Sequence, residues 1–333
     1  MKKVSIILGL AVVLLMAPCG HAASGRAFVL ANDYATDTIT HLMTVKLADL
    51  LKEKSNGAFA TEVYPSAKLG SDVLLTQSCQ AGDVTFVLQT TAPQASLVHA
   101  AYVFDMPNLY RDVSVARTAL DSFLPTIAPY YERAGFKLLG FADQHFRVMT
   151  ANRRIASIDD FKGVRIRTMQ NKYHAAYWES LGAVPIPLPY PELPFSLDRG
   201  YVEAQENPIE VVVGGGFYKQ QKYVVETNHL LHSISIIMSK AIYDGLTADE
   251  KKIVEEAARE TAIWGREQAD AREAARLKTL KAHGTEILPV SDGLRGELVQ
   301  RSRGMRDDIR REVGNDLADA FLKEIETAGK AGQ

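Results

Sequence analysis

Cysteine is nearly absent from this chain: Cys19 and Cys79 are the two among 333 residues. Cys19 lies in an amino-terminal segment that reads as a removable leader, so the mature chain keeps Cys79 alone and has no internal disulfide. Apolar runs are short as well. The longest, residues 4–16, is broken by Ser5 and Gly9 and is too short to span a bilayer comfortably. Charge of one sign is missing, with 38 basic against 40 acidic residues and no long basic run, which argues against nucleic acid and anionic membrane surfaces as partners. No G-x-S-x-G, H-E-x-x-H or metal-spaced His/Cys cluster is present. The triple glycine Gly214-Gly215-Gly216 is followed by neither Lys-Ser nor Lys-Thr, so it is no phosphate loop but a flexible or close-packed turn. No catalytic residue, cofactor or metal is therefore expected.

Lys2 and Lys3, the short apolar run and the small residues around Gly20-His21-Ala22 predict a cleaved signal over residues 1–22. Pro18 fits poorly with lipid attachment at Cys19. Lacking disulfides, the exported chain must hold together by core burial. The remaining length of about 310 residues suffices for that and suggests two lobes.

Strands and helices alternate. Strands are expected at 28–30, 59–64, 84–89, 137–141 and 146–150, and helices at 38–55 and 72–81. Another helical stretch, 111–134, is expected to be interrupted at Pro125 and Pro129. This alternation predicts an α/β fold with mostly parallel sheets. Thr247 and Glu250 form a capping box before apolar residues at helical spacing that run to Gly284. One helix there would be about 54 Å long; two helices kinked at Gly265 are the alternative. Further charged helices are expected at 294–313 and 315–328, with residues 329–333 frayed. Cys79 reads as a small buried apolar residue.

The segment 161–208 carries the chemistry. Val164, Ile166 and Thr168 alternate with Arg165 and Arg167, which puts the two arginines on the face away from the buried one. An arginine fixed on a strand offers a planar fork to a carboxylate. Alternation alone does not decide between Arg165 and Arg167.

This segment resembles the core of the extracytoplasmic solute receptors of TRAP transporters. So do SNGAFATEVYPSAKLG (residues 55–70), GDVTFVLQ (82–89) and FYKQQKYVVETNH (217–229), all in family order. The resemblance implies a two-lobed periplasmic binding protein with a hinge and a long bracing helix. Lobe I would comprise residues 23–144 plus about 233–272, and lobe II residues 145–232 plus about 273–333. It further implies capture of a small organic acid, a sugar acid or C4-dicarboxylate, and delivery to TRAP permease membrane subunits. A sensory receptor on the same fold and a periplasmic hydrolase stand as alternatives.

By the same resemblance Arg167 grips the ligand carboxylate, Arg147 is a second ligand-facing arginine, and Asn207 completes the site. Arg147 has a rival reading as an ion pair with Asp143 or Asp160, and Asn207-Pro208 is also a turn dipeptide. Asn32 and Asp33 (with Tyr34), Ser71 (with Asp72, where both also suit a helix cap), Gln89, Thr90, Tyr173 and Phe217 are further ligand-facing candidates; Trp178 reads as core. The polar residues among them tilt the ligand towards a hydroxylated acid. Two departures from the family pattern are Glu203-Ala204 before the Gln-Glu-Asn-Pro corner and Lys219 at a position commonly glutamate.

Overall fold

The computed structural model describes residues 26–331; the expected signal at residues 1–22 lies outside them. The chain opens with β1 (Arg26–Ala31), α1 (Ile39–Lys54), β2 (Phe59–Tyr64), α2 (Asp72–Ala81), β3 (Phe86–Thr90) and α3 (Val113–Arg133). Next come β4 (Phe136–Ala151), β5 (Arg165–Thr168), α4 (Lys172–Ser180), β6 (Val184–Pro187), α5 (Leu193–Asp198), β7 (Ala204–Pro208) and α6 (Ile209–Gly214). It closes with β8 (Tyr223–Val225), β9 (Leu231–Ser239), α7 (Lys240–Asp244), α8 (Ala248–His283) and β10 (Glu286–Leu288), then α9 (Asp292–Arg301), α10 (Arg303–Val313) and α11 (Asn315–Ala331).

The strands run in the order β2-β1-β3-β9-β4-β7-β5-β6, with β8 on β4 and β10 on β8. Pairings β1–β2, β1–β3, β5–β6, β5–β7 and β8–β10 are parallel. The antiparallel pairings all involve β4 or β9, so the fold is α/β and mostly parallel, as expected. Strand β4 links two sheets: residues from Phe136 to Phe146 pair with β9, and Arg147 to Ala151 pair with β7. The two strands expected at 137–141 and 146–150 are therefore one. Its register shifts between Asp143 and Phe146, where His145 takes φ 64°.

Three other expectations are corrected. Helix α3 continues through Pro125 and Pro129; both prolines are exposed, so water can reach the carbonyls their missing N–H groups leave free. The helix expected at 294–313 divides at Ser302, whose hydroxyl donates to the Leu298 carbonyl at 2.8 Å. The expected frayed tail is helical to Ala331, and Ala328 is buried beside Val115 and Ala119 of α3.

Helix α8 is unbroken over 36 residues. Its capping box forms on both sides: Glu250 N–H donates to Thr247 Oγ1 at 3.2 Å, and Thr247 N–H to Glu250 Oε2 at 2.8 Å. Gly265 makes no kink; it is where Met43 of α1 lies against the helix, in the space a Cβ would fill. Further along α8, Arg276 joins Glu210 of α6 at 2.7 Å and Asp37 before α1 at 2.8 Å. One core, including Phe28, Leu30, Met43, Leu47 and Ala258, lies between the first sheet, α1 and α8. A larger one runs from Leu75 and Phe123 to Phe161, Trp178 and Phe321 and so underlies both sheets. Trp178 and Cys79 are buried in it, and burial pushes the Cys79 thiol far up.

Candidate functional site

Arg165 and Arg167 share a strand and part company at once. Arg165 is exposed and donates to the carbonyls of Gly200 (3.0 Å) and Tyr201 (3.2 Å). Arg167 is 1 % exposed, contrary to the alternation argument that put both arginines away from the interior. The alternation holds, but their face is covered at the carboxyl end of β5 and open at its start. Nε and Nη2 of Arg167 both donate to the Leu188 carbonyl, at 2.9 and 2.6 Å. Its Nη1 is buried and meets no acceptor among the described residues.

Groups from the other sheet act on this guanidinium through their charge. Asp33 follows β1, and its Oδ2 accepts the Asp72 N–H at 3.3 Å, at the start of α2. The Ser71 side chain makes no capping bond there, while Asp72 Oδ1 accepts the Val73 N–H at 2.7 Å. Asp33 Oδ1 is buried without a donor among the described residues. Burial and the neighbouring Asp72 carboxylate push Asp33 well above its usual range, against the pull of Arg167. Burial raises Asp72 too, again opposed by Arg167. Desolvation lowers Arg167 despite these carboxylates. Tyr190, in the turn before α5, feels both Asp33 and Arg167, and its hydroxyl is likewise unpartnered among the described residues. Its ring lies 5.0 Å from Tyr34 and 5.7 Å from Phe217. The triple glycine proves to be a close-packed turn here: a Cβ on Gly215 would stand 2.9 Å from the Tyr190 oxygen, and one on Gly214 2.8 Å from the Asp37 carbonyl.

Arg147 lies in a second network, in which each of its three side-chain nitrogens has an acceptor. Its Nε and Nη2 grip the Glu206 carboxylate, Nη2 also reaches the Glu206 carbonyl (2.6 Å) and Asn207 Oδ1 (3.2 Å), and Nη1 donates to His232 Nδ1. Its partner is thus neither Asp143, which binds Arg117 at 2.6 Å, nor Asp160, which accepts the Ser157 N–H at 2.8 Å. Arginine only donates, so His232 carries its proton on Nε2 and gives it to the Tyr34 oxygen at 3.2 Å. Burial and Arg147 hold His232 well below its usual range. Burial alone would raise Glu206, but Arg147 and the imidazoles of His174 and His229 hold it well below the usual carboxylate range. His229 stands 3.2 Å from Glu206 Oε2; His174 Nδ1, at 3.6 Å, is beyond hydrogen-bond reach and contributes through charge. Asn207 Nδ2 donates to Gln205 Oε1 at 2.7 Å, completing a rigid wall.

Of the remaining candidates, Asn32 donates to Thr44 Oγ1 at 3.0 Å and accepts the Tyr34 N–H at 3.1 Å, which fixes the loop that carries Asp33. Gln89 donates to Thr76 Oγ1 at 2.6 Å, its Oε1 is unpartnered among the described residues, and Thr90 beside it is buried. Tyr173 groups with Tyr102 and Lys172 rather than with Arg167. Lys219 is exposed. The sequence reading missed Tyr190, Glu206 and His232. Only Glu206 left a trace, as a charged residue inside the Gln-Glu-Asn-Pro corner.

Roomier hollows lie elsewhere. One of about 560 Å³ between α3 and α8 is largely apolar. Another of about 380 Å³ is lined by Arg117, His145, Asp270 and Arg276, which already pair with acids or with one another. Each is lined by one buried atom unpartnered among the described residues, Arg266 Nε and Gln144 Oε1 respectively, against the three gathered at Arg167, so the candidate site is the interface between the sheets at Arg167.

The sequence model of the family described as bacterial extracellular solute-binding protein, family 7 (DctP), matches residues 30–309. The chain is 27% identical to the C4-dicarboxylate-binding periplasmic protein DctP of Rhodobacter capsulatus, over 89% of this chain and 88% of that one. It is 25% identical to the 2,3-diketo-L-gulonate-binding periplasmic protein YiaO of Escherichia coli K12, over 86% and 84%. Its fold superposes with a TM-score of 0.88 on the sugar acid binding protein DctPAm of Advenella mimigardefordensis in complex with galactonate, at 27% identity over 91% and 98% of the chains. Among the described residues no helix is long and apolar enough to cross a membrane.

Proposed function

The chain belongs to the TRAP solute-binding proteins of family 7, and from that membership we propose that it is a periplasmic receptor that captures a small organic acid for a TRAP permease. The observation that carries this reading is the buried Arg167 guanidinium, which keeps Nη1 free of acceptors among the described residues. A buried donor in want of a partner destabilises the closed form until an acceptor fills it. A carboxylate is the acceptor that suits a guanidinium best. Arg147 and Asn207 then act as the wall that sets the ligand's orientation, and Asn32, Asp33, Ser71, Gln89, Thr90 and Phe217 line the approach from either side.

Capture proceeds by closure of two lobes, 23–144 with about 233–272 and 145–232 with about 273–333, about β4. The acid favours the closed form because Asp33 meets Arg167 and Tyr190 only there. The permease subunits then receive the acid from the closed receptor.

The test is thermal denaturation of the purified chain, first unfolded and refolded to strip bound ligand, with aldonates, uronates, dicarboxylates and 2-oxo acids. One class should raise the melting temperature in a dose-dependent way, with about 2.7 kcal/mol of added stability at 100 times the dissociation constant. No shift with any acid would refute the receptor reading.

A further inference from the structure

Across the closed site from Arg167 stand two carboxyl groups, Asp33 and Asp72, each more than nine-tenths buried. They touch through the backbone, Asp72 N–H to Asp33 Oδ2 at 3.3 Å. Arg167 acts on both, and neither has an ion-pair contact with any described basic side chain. This is a poor place for a second anionic group. Three buried atoms here lack partners among the described residues: Arg167 Nη1, Asp33 Oδ1 and the Tyr190 hydroxyl.

Hydrogen-bond accounting narrows what can fill such a site. Arg167 only donates, so it needs an acceptor. Asp33 Oδ1 when ionised only accepts, so it needs a donor. Tyr190 does either. A ligand that satisfies all three carries a carboxylate at one end and hydroxyl groups further along. A dicarboxylate meets the first need and fails the second, since its distal carboxylate would set acceptor against acceptor and like charge against like charge. A simple 2-oxo acid also brings no donor. Resting on the carboxylate role proposed for Arg167, we infer that this site selects a polyhydroxy monocarboxylate, with Asp33 and Asp72 as the specificity-determining residues that accept its hydroxyls and reject a second carboxylate.

Tyr190 adds a neutral contact that can either donate or accept, held in place by the close approach of Gly215.

Isothermal titration of the ligand-stripped chain separates these cases. The probes are aldonates of four to six carbons, succinate and hexanoate, each with wild type, Asp33→Asn and Asp72→Asn. At least one aldonate should bind wild type 100-fold or more tighter than succinate and hexanoate. Either asparagine variant should narrow the aldonate-to-succinate ratio at least tenfold; circular dichroism melts confirm folding, and the wild-type panel stands even where a variant fails to fold. Succinate or hexanoate binding wild type as tightly as the best aldonate overturns the inference while leaving the receptor reading intact. So does a ratio unchanged in both folded variants. Absence of binding by every acid removes the carboxylate role of Arg167 and this inference with it.

Discussion

Arg167→Ala will weaken binding of the captured acid by roughly 10²–10⁴-fold. Two charge-assisted hydrogen bonds from the fork are worth about 1.5–3 kcal/mol each, and each 1.4 kcal/mol is about tenfold in affinity. The effect on the unliganded fold will be smaller. Arg167 shares a single backbone acceptor, the Leu188 carbonyl, between Nε and Nη2. Its loss also lets the Asp33 and Asp72 carboxyls take up protons rather than stay as bare charges. Arg167→Lys is the informative companion: it keeps the charge but replaces a planar fork with a point donor, and should fall between wild type and alanine. Calorimetric titration decides the matter. Affinity retained within tenfold in Arg167→Ala would mean that the carboxylate is held elsewhere.

The largest stability effect belongs to a residue that touches no ligand in this account. Glu206 is completely buried, and it is the carboxylate partner of the equally buried Arg147. Glu206→Gln keeps the shape and removes the counter-charge, which leaves an uncompensated guanidinium in the interior. Such a break costs about 3–5 kcal/mol, which lowers the melting temperature by roughly 10 °C in a chain of this size. The deficit also carries a pH signature. Glu206 is held well below its ordinary value of 4.5 in the folded protein. Its ionisation therefore stabilises the fold fully above that ordinary value and is lost progressively as pH falls towards the folded one. The gap between wild type and Glu206→Gln should be widest at neutral pH and shrink in acid. Denaturant melts at pH 7 and pH 4 measure both points; a gap that stays constant, or widens in acid, would disprove the assignment.

These two arginines show where sequence reading succeeds and where it stops. Local signals were readable: the Thr247–Glu250 capping box, the apolar face of α8 and the strand carrying Arg167 all depend on neighbours a few residues away. The resemblance singled out Arg167 over Arg165, and the structure covers the former and exposes the latter. What alternation could not express is that one strand face is open at Arg165 and sealed two residues later, because the seal comes from Leu188, Tyr190 and the other sheet. The partner of Arg147 was hidden for a similar reason. Glu206 is 59 residues away in the chain, and the pairing follows from the antiparallel register that sets Arg147 opposite Pro208 and Met149 opposite Glu206. The prolines of α3 misled in the opposite sense, since a local breaker is tolerated once its face is known to be wet.

Strand β4 has a consequence for how the protein comes apart. Its sixteen residues are hydrogen-bonded first into one sheet and then into the other, and one continuous apolar cluster underlies both. Neither sheet can melt without stripping a ladder from a strand the other still needs. The two sheets therefore do not denature as two separate bodies. Heat or urea should remove both in a single cooperative event, so that the closure proposed above would come without a separately fragile half.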